Sequence, residues 1–246
     1  MALWRTIGLS SRGTVARCSL QNSSTRSLSA ATNQEPVYEL RTYTVYPDKM
    51  REYLSLTSEE FHLRTAHSKV LGFWTSEIGG LNQVVHIWEY ESLAHRSTVR
   101  AKLAGDKEWI SRYVSRVAGM WQQQDNSLMT LLPGTSLALP SGTGVYELQT
   151  VTLQGAGWSG ALRNYVRACR EGEGARAVEG TALVGAWKGV LGPASTAVLL
   201  WRHQGPDSCV ALRGVLESLA EDSSLTPHLR SGHSKLILPH AVSPLQ

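Results

Sequence analysis

Apolar and polar positions alternate along this chain in a way that predicts short strands and helices in a set order. Val37 to Val45 is rich in Val, Tyr and Thr and predicts a strand. Pro47-Asp48 then opens a helix, because Met50, Tyr53, Leu54, Thr57 and Phe61 recur at helical spacing to about Ala66. Residues 69–78 and 83–90 read as two strands joined by a turn at Gly79-Gly80. Ser92 is the predicted N-cap of a second helix; Gly105 interrupts it, and Asp106 restarts it through Trp109, Ile110, Tyr113 and Val117. A strand over 127–132 completes the order βαββαβ.

The same order recurs in the second half. Val37-Tyr38-Glu39-Leu40-Arg41-Thr42-Tyr43 returns as Val145-Tyr146-Glu147-Leu148-Gln149-Thr150-Val151, five of seven identical at an offset of 108. Val70-Leu71-Gly72-Phe73-Trp74 returns as Leu183-Val184-Gly185-Ala186-Trp187 at an offset of 113, which also carries Gly79 to Gly192, Val85 to Val198 and Trp88 to Trp201. Leu131-Leu132-Pro133 matches Ile237-Leu238-Pro239. The expected organisation is a first unit over 36–134, a linker over 135–143 and a second unit over 144–246. Helices in the second unit are expected to be weaker: 15 of the 22 glycines lie at or beyond Gly134, and Gly155, Gly157, Gly160, Gly172 and Gly174 predict a loose first helix. Residues 163–181 show little regular helical spacing.

Each βαββαβ unit covers one face of its sheet with its own helices. The runs Val84–Tyr90 and Ala197–Trp201 are too apolar to leave the other face in water. The fold class expected is therefore α+β: tandem ferredoxin-like units packed sheet to sheet within one chain, in a dimeric α/β-barrel-type fold.

Charge changes the picture only at the N-terminus. The chain of 246 residues has 24 Lys and Arg against 20 Asp and Glu, a formal +4. The first acid is Glu35, and Arg5, Arg12, Arg17 and Arg26 precede it, so the remainder carries 20 of each sign. Residues 1–33 are basic and rich in Ser and Thr, which predicts a mitochondrial transit peptide directing the chain to the matrix, with a cytosolic location as the alternative. Arg26-Ser27-Leu28-Ser29 resembles a matrix-peptidase site. No uncharged apolar run approaches the roughly 18 residues of a membrane span. The basic and aromatic stripes of a nucleic-acid binder are absent once the leader is set aside. Cys18, Cys169 and Cys209 cannot build a secreted disulfide framework and favour a reducing compartment.

Several blocks together resemble the NIPSNAP family, especially its third paralogue group. They are Tyr38-Glu39-Leu40-Arg41-Thr42-Tyr43, His62-Leu63-Arg64-Thr65-Ala66-His67-Ser68, Gly72-Phe73-Trp74, His86-Ile87-Trp88-Glu89-Tyr90, Ala94-His95-Arg96, Asp106-Lys107-Glu108-Trp109 and Gly144-Val145-Tyr146-Glu147-Leu148, with Val242-Ser243-Pro244-Leu245 near the end. The resemblance implies a barrel of ferredoxin-like units and a mitochondrial protein without established catalysis. It implies action through protein partners, in mitochondrial quality control or vesicle traffic; the mitophagy role belongs to other paralogue groups. Homo- or hetero-oligomers are compatible with it.

Barrels of this kind also include cofactor-free monooxygenases and haem-handling enzymes, which makes a small-molecule or haem-binding protein the alternative function. The polar candidates are Arg41, Arg64, His67, His86 and His95, all in the first unit. His86 shares a strand face with Val84, Trp88 and Tyr90, where it serves either as a proton-handling group or as a hydrogen-bonded core residue. The expected pocket comprises Arg64, His67, His86 and Trp88. Leu199 stands where a second-unit His86 would be, so a site is expected in the first unit alone. No catalytic set, cofactor motif or metal spacing is legible: His62 and His67 point to different sides of a helix, and Cys169 and Cys209 stand alone. Trp74, Trp88, Trp187 and Trp201 are read as core anchors.

Overall fold

The structure, a computed structural model, describes residues 35–171 and 178–246. The expected transit peptide, residues 1–33, and the glycines Gly172 and Gly174 lie outside the described residues.

The first half runs β1 (Val37–Val45), α1 (Met50–Thr65), β2 (Lys69–Ile78), β3 (Gln83–Tyr90), α2 (Leu93–Gly105) and β4 (Trp121–Leu131). The second runs β5 (Val145–Leu153), α3 (Trp158–Glu171), β6 (Ala182–Leu191), β7 (Thr196–His203), α4 (Pro206–Asp222) and β8 (Leu229–Pro239). Antiparallel pairing in the order β1-β3-β2-β8-β5-β7-β6-β4 closes one eight-stranded barrel. Each half contributes four strands, and the β2–β8 and β4–β6 pairs are the seams. Closure removes the free edges that two open sheets would leave.

Alternation along the strands builds two layers. On β3, Val85 and Ile87 join the barrel interior, whereas Val84, Trp88 and Tyr90 face the helices. On β7, Val198 and Leu200 point inward, and Ala197, Leu199 and Trp201 point outward. The interior is filled by Trp74 and Trp187 with Tyr38, Ile87, Met129, Tyr146 and Ile237. A Cβ on Gly72 or Gly185 would overlap the indole two residues further on, which explains Gly-x-Trp on both β2 and β6. At the β2–β3 turn, Gly79 has φ of 93°, and a side chain there would strike the Ser234 carbonyl. The C-terminal tail returns to the barrel: Leu245 is buried in the interior cluster, and the Phe73 N–H donates to Ser243 Oγ at 3.0 Å.

Three local expectations change. β4 begins at Trp121 rather than 127, because pairing with β1 from Val45↔Trp121 onward recruits the polar stretch Gln122–Asn126, which has no alternation to announce it. The loose helix of the second half is instead regular over Trp158–Glu171: Leu162, Tyr165, Val166 and Cys169 bury one face, while Gly155 and Gly157 take positive φ just ahead of it. Residues 163–171, read as lacking helical spacing, belong to that helix. Beyond α2, the chain forms a π-helical turn, Trp109–Val114, followed by short turns over Ser115–Val117 and Ala118–Met120.

Candidate functional site

A cavity of about 280 Å³ lies between the outer face of the first-half strands and the helices above them. Its floor carries Arg41 and Tyr43 from β1, Phe73 from β2, and His86 and Trp88 from β3. Tyr53, Phe61 and Arg64 of α1, Arg100 and Leu103 of α2, and Trp109, Ile110 and Tyr113 of the π turn form its roof and walls. The π turn is a local consequence of sequence. Gly105 ends α2, and Asp106 Oδ1 accepts the Trp109 N–H at 3.0 Å, restarting the helix with Trp109 and Tyr113 stacked 4.7 Å apart.

Electrostatically the lining is one-sided: it includes Arg41, Arg64 and Arg100 and no carboxylate. Arg64 is buried, its guanidinium 3.8 Å from the Trp88 ring centroid, and it donates to Ser68 Oγ and to Tyr90 Oη, the latter at 3.0 Å. Burial lowers the Arg64 pKa, with Tyr90 opposing the shift. Tyr90 donates onward to Glu39 Oε2 at 3.2 Å. Glu39 is 1% exposed and is the third residue of β1. Burial alone would raise its carboxyl, but hydrogen bonds from Arg96 and Asn126, each 2.6 Å, and the Arg41 charge bring it down to about 2.

His86 is stacked on Phe73, meets Tyr43 edge-on, and is 5% exposed. Burial holds its pKa well below the ordinary histidine value, and Arg41 and Arg64 add to the effect. The Trp88 indole N–H donates to His86 Nδ1 at 2.6 Å. A neutral ring that accepts at Nδ1 carries its proton on Nε2. That N–H has no hydrogen-bond partner, in a ring that lines the cavity. The indole Nε1 of Trp121, another lining ring, is likewise unpartnered, so the site offers two unspent neutral donors and three guanidinium groups among aromatic walls. Burial likewise pushes the Tyr43 phenol up to about 12, keeping it neutral.

Of the expected pocket residues, Arg64, His86 and Trp88 line the cavity. His67 does not: its Nε2 lies 2.9 Å from Asp106 Oδ2, so it ties the end of α1 to the residue that starts the π turn. His95 accepts the Glu91 N–H in the first turn of α2, its half-buried ring edge-on to Tyr90. Arg41 is a lining residue, as are Arg100 and the π-turn aromatics, which the linear sequence does not mark. Glu39 was legible in one respect: it is a carboxylate within a strand block that occurs twice.

At the corresponding place in the second half, where no site is expected, lies a cavity of about 370 Å³ lined by Gln149, Val151, Leu162, Tyr165, Leu199 and Leu216, with Arg213, Glu217 and His233 among its polar walls. Register fixes the correspondence: Arg41 pairs opposite His86, and Gln149 opposite Leu199. The Trp201 indole N–H donates to Gln149 Oε1 at 3.1 Å, since no histidine is present to receive it. Buried Glu147 is the counterpart of Glu39. Burial would raise it too, but the neighbouring His203, the hydrogen bond from Gln149 and the Arg213 charge bring it down to about 2. Close by, burial and the Glu147 charge push the Cys209 thiol up to about 11. Among the described residues no helix is long and apolar enough to cross a membrane.

Residues 38–135 match the family model described as NIPSNAP. Protein NipSnap homolog 3B of Mus musculus is 34% identical over 220 residues, covering 85% of this chain and 85% of that protein. Protein NipSnap homolog 3A of Homo sapiens shows the same identity and coverage. Among solved structures, a protein of Lactobacillus acidophilus provisionally named a monooxygenase superposes with a TM-score of 0.61 at 11% identity, over 84% of this chain and 95% of that one. An anthrone oxidase-like protein gives a TM-score of 0.56 at 9% identity, over 82% and 90%. At these identities the likeness shows the fold alone.

Proposed function

We propose that this chain, which belongs to the NIPSNAP family and falls with its third group, binds a small organic anion bearing one or two rings in the first-half cavity. The observation that carries this reading is the pairing of charged lining residues that are all cationic, Arg41, Arg64 and Arg100, with the unpartnered Nε2–H of buried His86. A buried polar group without a partner costs free energy unless a bound molecule completes it. Tyr43, Phe73, Trp88 and Trp109 supply flat apolar surface for a ring, and guanidinium groups suit a carboxylate or enolate. About 280 Å³ lies at the lower edge of the range for drug-sized sites and suits a compact ligand rather than a macrocycle such as haem.

The names of the relatives assign no reaction, and ligand binding is the whole of this proposal. Action through protein partners rests on family resemblance, whereas the cavity is a feature of this chain and supports ligand binding. The composition of residues 1–33 supports a mitochondrial setting.

The test is thermal shift and isothermal titration of the full chain with aromatic carboxylates, each paired with its uncharged amide. Stabilisation by the acid, absent for the amide and reduced in Arg41→Gln, is the expected result. Equal response to acid and amide, or none to either, would overturn the reading.

A further inference from the structure

The two buried glutamates sit in matched surroundings that differ in a chemically pointed way. In the first half Glu39 is opposed by Tyr90, the last residue of β3, and by Arg96, the fourth residue of α2. In the second half the same places, the last residue of β7 and the fourth of α4, hold His203 and Cys209. A phenol and a guanidinium, which only donate to a carboxylate here, are replaced by an imidazole and a thiol, which can ligate a metal.

The donor atoms converge. One oxygen of Glu147, one ring nitrogen of His203 and Cys209 Sγ all lie within 4.8 Å of one another. His203 Nε2 is 3.5 Å from Glu147 Oε2, and neither atom has a hydrogen-bond partner, although Glu147 is 2% exposed and His203 fully buried. The remaining atoms of both groups are occupied. Glu147 Oε1 accepts from Gln149 Nε2 at 3.0 Å and from Arg213, and His203 Nδ1 is 3.2 Å from Thr181 Oγ1. An imidazole oriented through Nδ1 so that Nε2 is free is how a metal-binding histidine is normally held.

We propose that Glu147, His203 and Cys209 form a site for Zn²⁺ or a chemically similar divalent ion, bound through Oε2, Nε2 and Sγ with a fourth position left for water. Mixed O, N and S donors are the set this ion accepts, with bond lengths of about 2.0–2.3 Å, and small side-chain movements bring the three atoms to that range. Binding releases the Cys209 proton to solvent, so the thiolate and the carboxylate together balance the ion's two charges. The Arg213 guanidinium, whose side chain is 43% exposed, stays on Oε1 or swings outward as the ion enters. The spacing in sequence is 56 residues from Glu147 to His203 and six more to Cys209, a pattern that no linear metal motif describes.

The test is titration of metal-free full-length protein with Zn²⁺ alone, and with Co²⁺ to report the ligands spectroscopically. Expected are about one Zn²⁺ per chain, a thiolate-to-cobalt charge-transfer band, and tetrahedral visible absorption. Cys209→Ser is expected to abolish that band and to weaken Zn²⁺ by at least about 100-fold, more than the loss of an outer-shell partner, with an unchanged circular dichroism spectrum. His203→Gln should weaken binding comparably, and Cys169→Ser and Cys18→Ser should leave it alone. No uptake of Zn²⁺ at millimolar concentration would overturn the proposal. So would uptake that survives both Cys209→Ser and His203→Gln, which would mark a surface site.

Discussion

The helix-facing layers of the two halves start from the same scaffold and end with opposite chemistry. Under α1 and α2, Arg41 faces His86 across β1 and β3; under α3 and α4, the same pair of positions holds Gln149 and Leu199. The barrel interior tolerates no such divergence, because Trp74 and Trp187 each lie on a glycine of their own strand and fill the space between the sheets. An indole that faces the helices needs only an acceptor for its N–H. Trp88 finds it in His86 Nδ1 and Trp201 in Gln149 Oε1. What differs is what is left over: an unspent Nε2–H beside three arginines in one half, and in the other a cavity whose walls carry both signs, Arg213 and Glu217. Shared packing demands preserve the inner layer, and the outer layer is free to specialise.

The comparison can be broken first at what the halves share. Glu39→Ala and Glu147→Ala should each destabilise the fold by about 3–5 kcal/mol, since each leaves a buried polar cluster without its carboxylate. Denaturant unfolding checks this, and a large inequality would mean that the two glutamates do different structural work. Acid should act on both in the same direction. Both carboxyls sit near 2 in the fold against an ordinary value of 4.5, so their contribution is full above about pH 4.5 and is lost as pH falls toward 2. The loss is about 3 kcal/mol for each group. Stability measured across that window should be flatter in Glu39→Gln.

Smaller changes sharpen the contrast between the cavities. His86→Leu installs the second-half residue and leaves the Trp88 N–H without its acceptor, a cost of about 1–3 kcal/mol. It should also remove a titration. With the folded value of His86 depressed, wild-type stability declines as pH drops below 6.5 toward that value, and the variant should lack this part of the slope. Arg41→Gln, again the second-half residue, should weaken binding of an aromatic carboxylate by about 10- to 100-fold, the worth of one charge-assisted hydrogen bond, and lower stability by less than the loss of Glu39 does, since it removes only one of the groups that hold that carboxylate. The smallest effect is expected from His67→Ala. It should speed hydrogen exchange over Trp109–Val114 and leave α4 unchanged, because His67 holds Asp106 at the start of that turn.

Much of the fold was legible because the barrel is built from local patterns. Period-two alternation in Val84–Tyr90 sorts Trp88 and His86 to one face and Val85 and Ile87 to the other, and the apolar character of both sets already requires that both faces be covered. The polar first half of β4 was not legible, since its pairing with β1, rather than any alternation of its own, makes it a strand. For the site, strand periodicity and helical spacing bring Arg64, His86 and Trp88 to one cavity. The same reasoning misplaces His67, because the chain leaves the helix after Thr65 and turns the ring toward Asp106. Arg100 enters from α2, and the stacked pair Trp109 and Tyr113 through a π turn, whose spacing departs from the period used to sort helix faces.

The sequence by itself determined the element order, the faces of the strands, the Gly-x-Trp pairs of the interior and the family. Each depends on neighbours within a few residues or on blocks that can be compared directly. Only the tertiary structure decided that the halves join at the β2–β8 and β4–β6 seams, that three arginines and His86 line a common cavity, and that Glu147, His203 and Cys209 meet. Those meetings join residues on different elements, many of them far apart in the chain, and depend on strand register and helix seating. Register and seating are set by the packing of the whole barrel, which no local pattern records.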